Sequence, residues 1–319
     1  HLRSANIGEA LTRLAKFMGY DTIGDTHLGD WGRPLGLVIL EISKRHPDLP
    51  YFDPNFKGEY PPINLTNEDL EEIYPYASQK SKEDENYLHE AQVMTKRLQD
   101  REPGIYDLWQ EIMKVSKTEI KRIYDILNAK FDLYNGESDE EIYVPELVEY
   151  LKSNNILEES QGAWVINIKE DDDKVEIPPM LIIKSDGGIL YSTAELATIY
   201  ERVKNYHPDE IWYVVDKRQS LHFVQAFRAA KKAKIVDDNT NLYFAGFGTM
   251  NGSDGKPFKT RDGGVMKLLD LLEMVKSESL RRLNPSILDG REEIAEKIAM
   301  SAIKFADLLP NRESDYVFD

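Results

Sequence analysis

The chain has 319 residues, 41% hydrophobic and 30% charged, a mixture that can bury a core of domain size. With no cysteine, disulfides and thiolate metal centres are excluded. A formal net charge of -17 argues against a protein basic all over, as nucleic-acid binders usually are, and points to a metabolite enzyme or a protein partner, although a local basic patch can hide inside that average.

Taken in chain order, Ile7, Leu11, Leu14, Phe17 and Met18 recur at helical spacing over 3–18, with Gly19 at the stop. Residues 20–25 read as a short strand, followed by the glycine-rich turn THLGDWGRPLG and an apolar helix to about Ser43. A helix, a strand and a glycine-rich turn form part of a βαβ unit, here without the strand that would precede the helix. The longest apolar run, 35–40, is far too short to cross a bilayer, and no leader peptide is visible; the expected location is cytoplasmic. From Pro47 to about Ser78 the chain is loop-like with a short acidic helix at 67–73, then charged helices at 82–101, 104–114 and 117–129. A helix at 144–154 precedes a strand at 163–168, and strands at 180–184 and 189–191 flank the hairpin signal SDGG. This block reads as an insertion in one α/β domain. A helix at 193–205, a buried strand at 210–215, a helix at 219–232 and a strand at 242–246 then restore the α/β pattern. Helices at 265–281 and 288–306 follow the loop GTMNGSDGKPFKTRDGG.

Five constellations could carry chemistry. His1 stands at a helix N-terminus close to Gly8, where free N–H groups and the helix dipole bind phosphate. HLGDWG follows a strand, where ligands lie in parallel sheets. Tyr191 and Glu195, four apart on one helix face, suit a cationic ligand, because a guanidinium pairs bidentately with a carboxylate. DKRQSLH, 216–222, places polar side chains at a strand end. Lys256, Lys259 and Arg261 in one glycine-rich loop would neutralise a pyrophosphate leaving group, although the spacing is not that of a P-loop. Each also admits a plain alternative: a stray terminal histidine, a turn with Trp31 in the core, a polar first helical turn, a solvated connection, a basic surface hairpin.

Together and in order, these pieces resemble the class I arginyl-tRNA synthetases. HLRSANIG resembles the second half of the family signature His-x-Gly-His-Leu-Arg-Ser, and HLGDWGRPLG resembles its next segment, with Arg33-Pro34 departing from the usual Thr-Gln. FGTMNGSDGKPFKTRDGG is similar to the family's stand-in for the KMSKS loop, and the tail from Ala302 through Asn311-Arg312 to the DYVFD ending at Asp319 also matches. The resemblance spans essentially the whole chain and is weakest in the middle.

The resemblance implies an α/β fold: a Rossmann-type parallel-sheet catalytic domain (first strand absent) with a largely helical connective insertion and a helical C-terminal segment. The implied divisions are 1–45, first part of the catalytic domain; 46–180, insertion; 181–264, second part with the KMSKS-like loop; and 265–319, helices leading to an anticodon-binding domain. His1, Lys256 and Lys259 would act on the ATP phosphates, with Gly8, His222, Gln225 and Gly248 completing the ATP site. Tyr191, Glu195 and Gln219 would line the arginine pocket, Glu195 standing where the family usually has Asp. The implied reaction activates L-arginine with ATP and Mg2+ to arginyl-adenylate, then transfers it to tRNA(Arg), with tRNA present even for the first step. No protein-held metal, no membrane and a monomer are expected, with activity reduced in a catalytic-core fragment. The alternatives are another class I synthetase or nucleotidyltransferase relative, or a non-catalytic synthetase-like binding module.

Overall fold

The computed structural model describes residues 2–185, 191–252, 255, 268–286 and 289–318, without the side chains of Tyr191 and Ser192. In chain order the helices are α1 (Leu2–Phe17), α2 (Arg33–Arg45), α3 (Asn67–Glu83), α4 (Glu85–Gln99), α5 (Pro103–Ile126), α6 (Glu137–Glu140) and α7 (Val144–Ser153). Strands β1 (Glu158–Ser160), β2 (Ala163–Ile166) and β3 (Met180–Ile183) follow. Then come α8 (Tyr191–Tyr206), β4 (Glu210–Tyr213), α9 (Ser220–Lys232), β5 (Asn241–Phe244), β6 (Met250–Asn251), α10 (Leu268–Arg282), α11 (Arg291–Leu308) and β7 (Tyr316–Val317). Among the described residues, no helix is long and apolar enough to cross a membrane.

The chain forms two compact units, one of 1–26, 126–133 and 139–319, the other of 27–125 and 134–138. These units do not coincide with the divisions expected from the sequence. The cause is packing: the apolar face of α2 (Leu35, Val38, Ile39, Ile42) shares a core with Ile73, Ala91, Leu98, Leu108 and Ile112, so α2 groups with α3–α5. Conversely Leu147, Leu151, Ile166, Met180 and Ile182 share a core with Leu196, Ile199, Phe223 and Ala226, so 139–183 groups with α8 and α9.

In the helical unit, Thr66 and Asp69 form a reciprocal capping box that starts α3, and Asp84 accepts from the Asn86 and Tyr87 amides to start α4. α3 runs through Pro75 to Glu83, beyond the expected 67–73, because Ile73 and Ala77 are buried on one face across the proline. The two helices expected at 104–114 and 117–129 are one, α5, since neither Gly nor Pro separates them. A Cβ on Gly104 would overlap the Tyr51 carbonyl oxygen, so glycine is required where α5 begins.

In the other unit, β1–β2–β3 is an antiparallel sheet, while β4 and β5 pair in parallel (Ile211↔Leu242, Tyr213↔Phe244) with α9 as the crossover. An isolated bridge, Asp216↔Phe247, continues that pairing past the strand ends. Residues 20–25 form no ladder, contrary to the expected strand; the segment pairs only at its end, through the Asp25↔Leu133 bridge. The expected strand at 189–191 also fails at Tyr191, which opens α8; the rest of that strand and the turn beyond Ser185 lie outside the described residues. Buried Thr193 donates its hydroxyl to the Ile182 carbonyl at 2.6 Å, pinning the first turn of α8 to β3.

Candidate functional site

The candidate site belongs to the unit containing β4 and β5 and gathers where those parallel strands end. Gly8 on α1 approaches Val214, just past β4; a Cβ there would meet only Phe131 and Val214 side chains, both at 4.0 Å. Among the described residues, no neighbour therefore demands glycine at position 8. His1 precedes α1 but lies outside the described residues, as do Lys256 and Lys259.

After β4, the Asp216 carboxylate accepts from the Arg218 amide and turns the chain into α9. Gln219 is exposed at that turn. One helical turn further, His222 Nε2 stands 3.6 Å from Glu195 Oε2. Two residues chosen from motifs 27 positions apart are thus brought together. Tyr191 begins the same helix as Glu195, one turn before it.

Glu195 is buried, and an ionic relay backs it. Arg202, two turns along α8, places its guanidinium 5.2 Å from the Tyr213 ring centroid and donates to Asp25 at 2.8 Å. Burial pushes the Tyr213 phenol far above its usual range; Arg202 opposes the shift and Glu195 adds to it. Burial opposes the Arg202 charge, but Tyr213, Asp25, Glu195 and Glu140 more than compensate, so the guanidinium stays protonated. A buried carboxylate beside an imidazole is a group that a guanidinium could pair with bidentately.

Two residues expected at the nucleotide have other partners. Gln225 Nε2 donates to the Pro178 carbonyl at 2.9 Å. Gly248 donates its N–H to the Arg312 carbonyl at 2.9 Å, and its own carbonyl accepts from Arg3 at 2.7 Å. A Cβ at 248 would overlap the Ser314 carbonyl, so backbone packing alone demands glycine there. HLGDWG, in the helical unit, is built as a structural turn: buried Asp30 accepts from the Ser138 amide and hydroxyl at 2.9 and 2.7 Å, and its carbonyl accepts from Trp109 Nε1 at 2.8 Å. Trp31 packs edge-on to Trp109 at 5.1 Å.

Other residues complete these surroundings, Arg202 and Tyr213 near Glu195, and Arg3, Asp307 and Tyr316 around Gly248. Only the resemblance of the tail drew attention to the last two, and it assigned them no role. Among the described residues, one group offers three closely spaced metal-ligand atoms, Glu170, Asp172 and Asp173. It lies in the acidic connection between β2 and β3, where Asp173 is engaged by Arg228 at 2.7 and 2.8 Å.

The whole chain, residues 1–319, matches the family model for class I (R) tRNA synthetases, catalytic domain. It is 49% identical over 326 residues to an arginine–tRNA ligase of Alkaliphilus oremlandii and 50% identical over 329 residues to one of Agathobacter rectalis. Each comparison covers 100% of this chain but 55% of the relative, so the chain spans about half the length of these relatives. The crystal structure of arginyl-tRNA synthetase from Plasmodium falciparum superposes with a TM-score of 0.78 at 28% identity, covering 100% of this chain and 51% of that one.

Proposed function

The chain belongs to the class I arginyl-tRNA synthetase catalytic-domain family, and on that premise we propose that it is the catalytic part of an arginine–tRNA ligase. The observation that supports this best is buried Glu195, with His222 at 3.6 Å and the Tyr213–Arg202–Asp25 relay behind it. In this reading Glu195 pairs with the arginine guanidinium, while Tyr191 and Gln219 frame the amino acid. Glutamate reaches about 1.5 Å further than the family's usual aspartate while keeping its charge. Gly8 leaves α1 bare for close approach of the nucleotide, beside His222.

The arginine carboxylate oxygen attacks the α-phosphorus of ATP as the bond to the bridging oxygen breaks, giving arginyl-adenylate and pyrophosphate. Lys256 and Lys259 neutralise the departing pyrophosphate, and His1 donates to the phosphates from the α1 N-terminus. A terminal ribose hydroxyl of tRNA(Arg) then attacks the arginyl carbonyl and releases AMP. Both steps are governed by positioning and charge stabilisation. Mg2+ would accompany the nucleotide phosphates and offset their charge; among the described residues, the carboxylate group that could hold a metal lies in the acidic connection between β2 and β3. The division into catalytic halves, helical insertion and C-terminal helices remains part of this proposal, as do a cytoplasmic location and a monomeric state.

The test is arginine-dependent ATP–pyrophosphate exchange by the gene product carrying this sequence, with tRNA(Arg) present. Exchange driven by arginine and abolished by Glu195→Ala is expected. Preference for lysine or glutamine would favour another class I synthetase, and ATP binding without exchange a non-catalytic module.

A further inference from the structure

Arg3 is almost completely buried, 5% exposed, in the first turn of α1. Its Nε lies 3.2 Å from Asp307 Oδ1 near the end of α11, and Asp307 is wholly buried. The guanidinium also donates to three backbone carbonyls: Gly248 at 2.7 Å, Ser314 at 3.3 Å and Asp307 at 3.5 Å. It lies over the Tyr316 ring, 4.9 Å from the centroid. Asp307 is satisfied from two further sides, by Asn6 Nδ2 at 3.0 Å and the Tyr316 hydroxyl at 2.8 Å. One guanidinium thus ties together the start of α1, the backbone past β5, and the chain past α11.

Two of these segments, past β5 and past α11, are also paired with each other. β6 ends at Asn251 and pairs in parallel with β7 (Met250↔Tyr316, Asn251↔Val317). Residues 311–318 strap the 246–251 backbone almost residue by residue. Arg312 donates to the Gly246 carbonyl at 2.9 Å, Gly248 N–H to the Arg312 carbonyl at 2.9 Å and Thr249 N–H to the Asp315 carboxylate at 2.8 Å. Tyr316 and Phe318 donate to the Thr249 and Asn251 carbonyls at 3.0 and 2.9 Å. Lys217, at the turn before α9, closes on Asp315 at 2.9 Å. A buried ion pair of this kind adds little net stability over an apolar pair, but it fixes one geometry sharply, because Arg donors act as a planar fork.

We infer that Arg3, Asp307 and Tyr316 form a positioning clamp that sets the distance between the α1 N-terminus and Asn251 at the end of β6, five residues before Lys256 in sequence, so that both ends of the ATP phosphate chain are met at once. This rests on the functional reading above. The clamp touches no substrate; its effect is carried by the helix start and the end of β6 that it holds. A displacement of about 1 Å between such groups is enough to lower a rate about a hundredfold.

The test uses Arg3→Lys and the milder Tyr316→Phe, which removes only the hydroxyl bond to Asp307, with thermal unfolding confirming that each folds. In arginine-dependent pyrophosphate exchange by the gene product with tRNA(Arg), Arg3→Lys is expected to lower kcat tenfold or more and Tyr316→Phe a few-fold. KM for arginine should stay within twofold, because the Glu195 pocket is built on other elements. Amide hydrogen exchange should quicken at least tenfold at Gly248, Thr249, Tyr316 and Phe318 in Arg3→Lys, and stay within twofold in α8. Unchanged kcat in either folded variant, a rise in arginine KM that matches the loss of kcat, or quickening spread evenly through the unit would each overturn the clamp. If the wild type shows no arginine-dependent exchange, the functional reading falls instead, and localised amide exchange alone decides the clamp.

Discussion

Glu140 ends α6 with 1% of its surface exposed, and its Oε2 has no hydrogen-bond partner among the described residues. Burial is the main force raising its carboxyl to about 8; Glu201, Asp25 and Asp139 add to the shift, and Arg202 opposes it. An unfolded glutamate releases its proton near pH 4.3, so between roughly pH 4.5 and 8 the folded state holds one proton more than the unfolded state. Stability must therefore fall as pH rises through that interval, by up to about 1.4 kcal/mol per pH unit, at most about 5 kcal/mol in all. Glu140→Gln keeps the shape and removes the proton. Its stability should match the wild type near pH 4.5 and exceed it increasingly toward pH 8. Paired carboxylates act in the opposite sense: Asp315 is lowered to about 2, chiefly by the Lys217 ammonium and then the Thr249 amide, and so contributes stability that is lost only as pH falls toward 2. The measurement consequently belongs at pH 5–8, by urea unfolding with hydrogen exchange of the α8 and α9 core amides, which report the unit holding Glu140. Parallel profiles for variant and wild type, or a variant less stable at pH 8, would refute the argument that this carboxyl is neutral in the fold.

Gly36→Ala should destabilise the helical unit by about 2 kcal/mol or more, since a Cβ would overlap Thr95 and lie 2.7 Å from the Ala91 carbonyl; chemical denaturation measures it. Gly8→Ala is the counterpart. With 4.0 Å clearances it should leave stability unchanged or raise it by up to about 1 kcal/mol, while calorimetry shows weakened ATP binding. Unchanged ATP affinity would remove the nucleotide from that face of α1. Asp30→Ala strands the Ser138 amide and should cost about 2 kcal/mol in unfolding of the helical unit without changing arginine affinity.

The elements with strong local signals were legible. The apolar stripe and Gly19 place α1 within a residue or two of its observed ends, and the β4–α9–β5 unit is where its alternation predicts. Residues 20–25 carry strand-like composition, but a ladder needs a partner that local pattern does not report. Part of the candidate site was legible too: Glu195, in a polar first turn, and His222, after a strand end, were both singled out and stand 3.6 Å apart. Gln225 and Gly248 show the limit of carrying roles by motif, since a residue matched at a site can be engaged by the protein's own backbone. Arg3 and Asp307 were out of reach for a simpler reason. Nothing local in either segment announces a partner three hundred residues away.

That separation has a consequence for how the protein is made. Arg3 leaves the ribosome 304 residues before the carboxylate that neutralises it. The three carbonyls it binds belong to residues 248, 307 and 314. A buried guanidinium without these acceptors is costly, so α1 cannot settle into its final seat before residues 307 and 314 are made. The start of α1 is thus seated only once the chain has been translated through Ser314 and Tyr316.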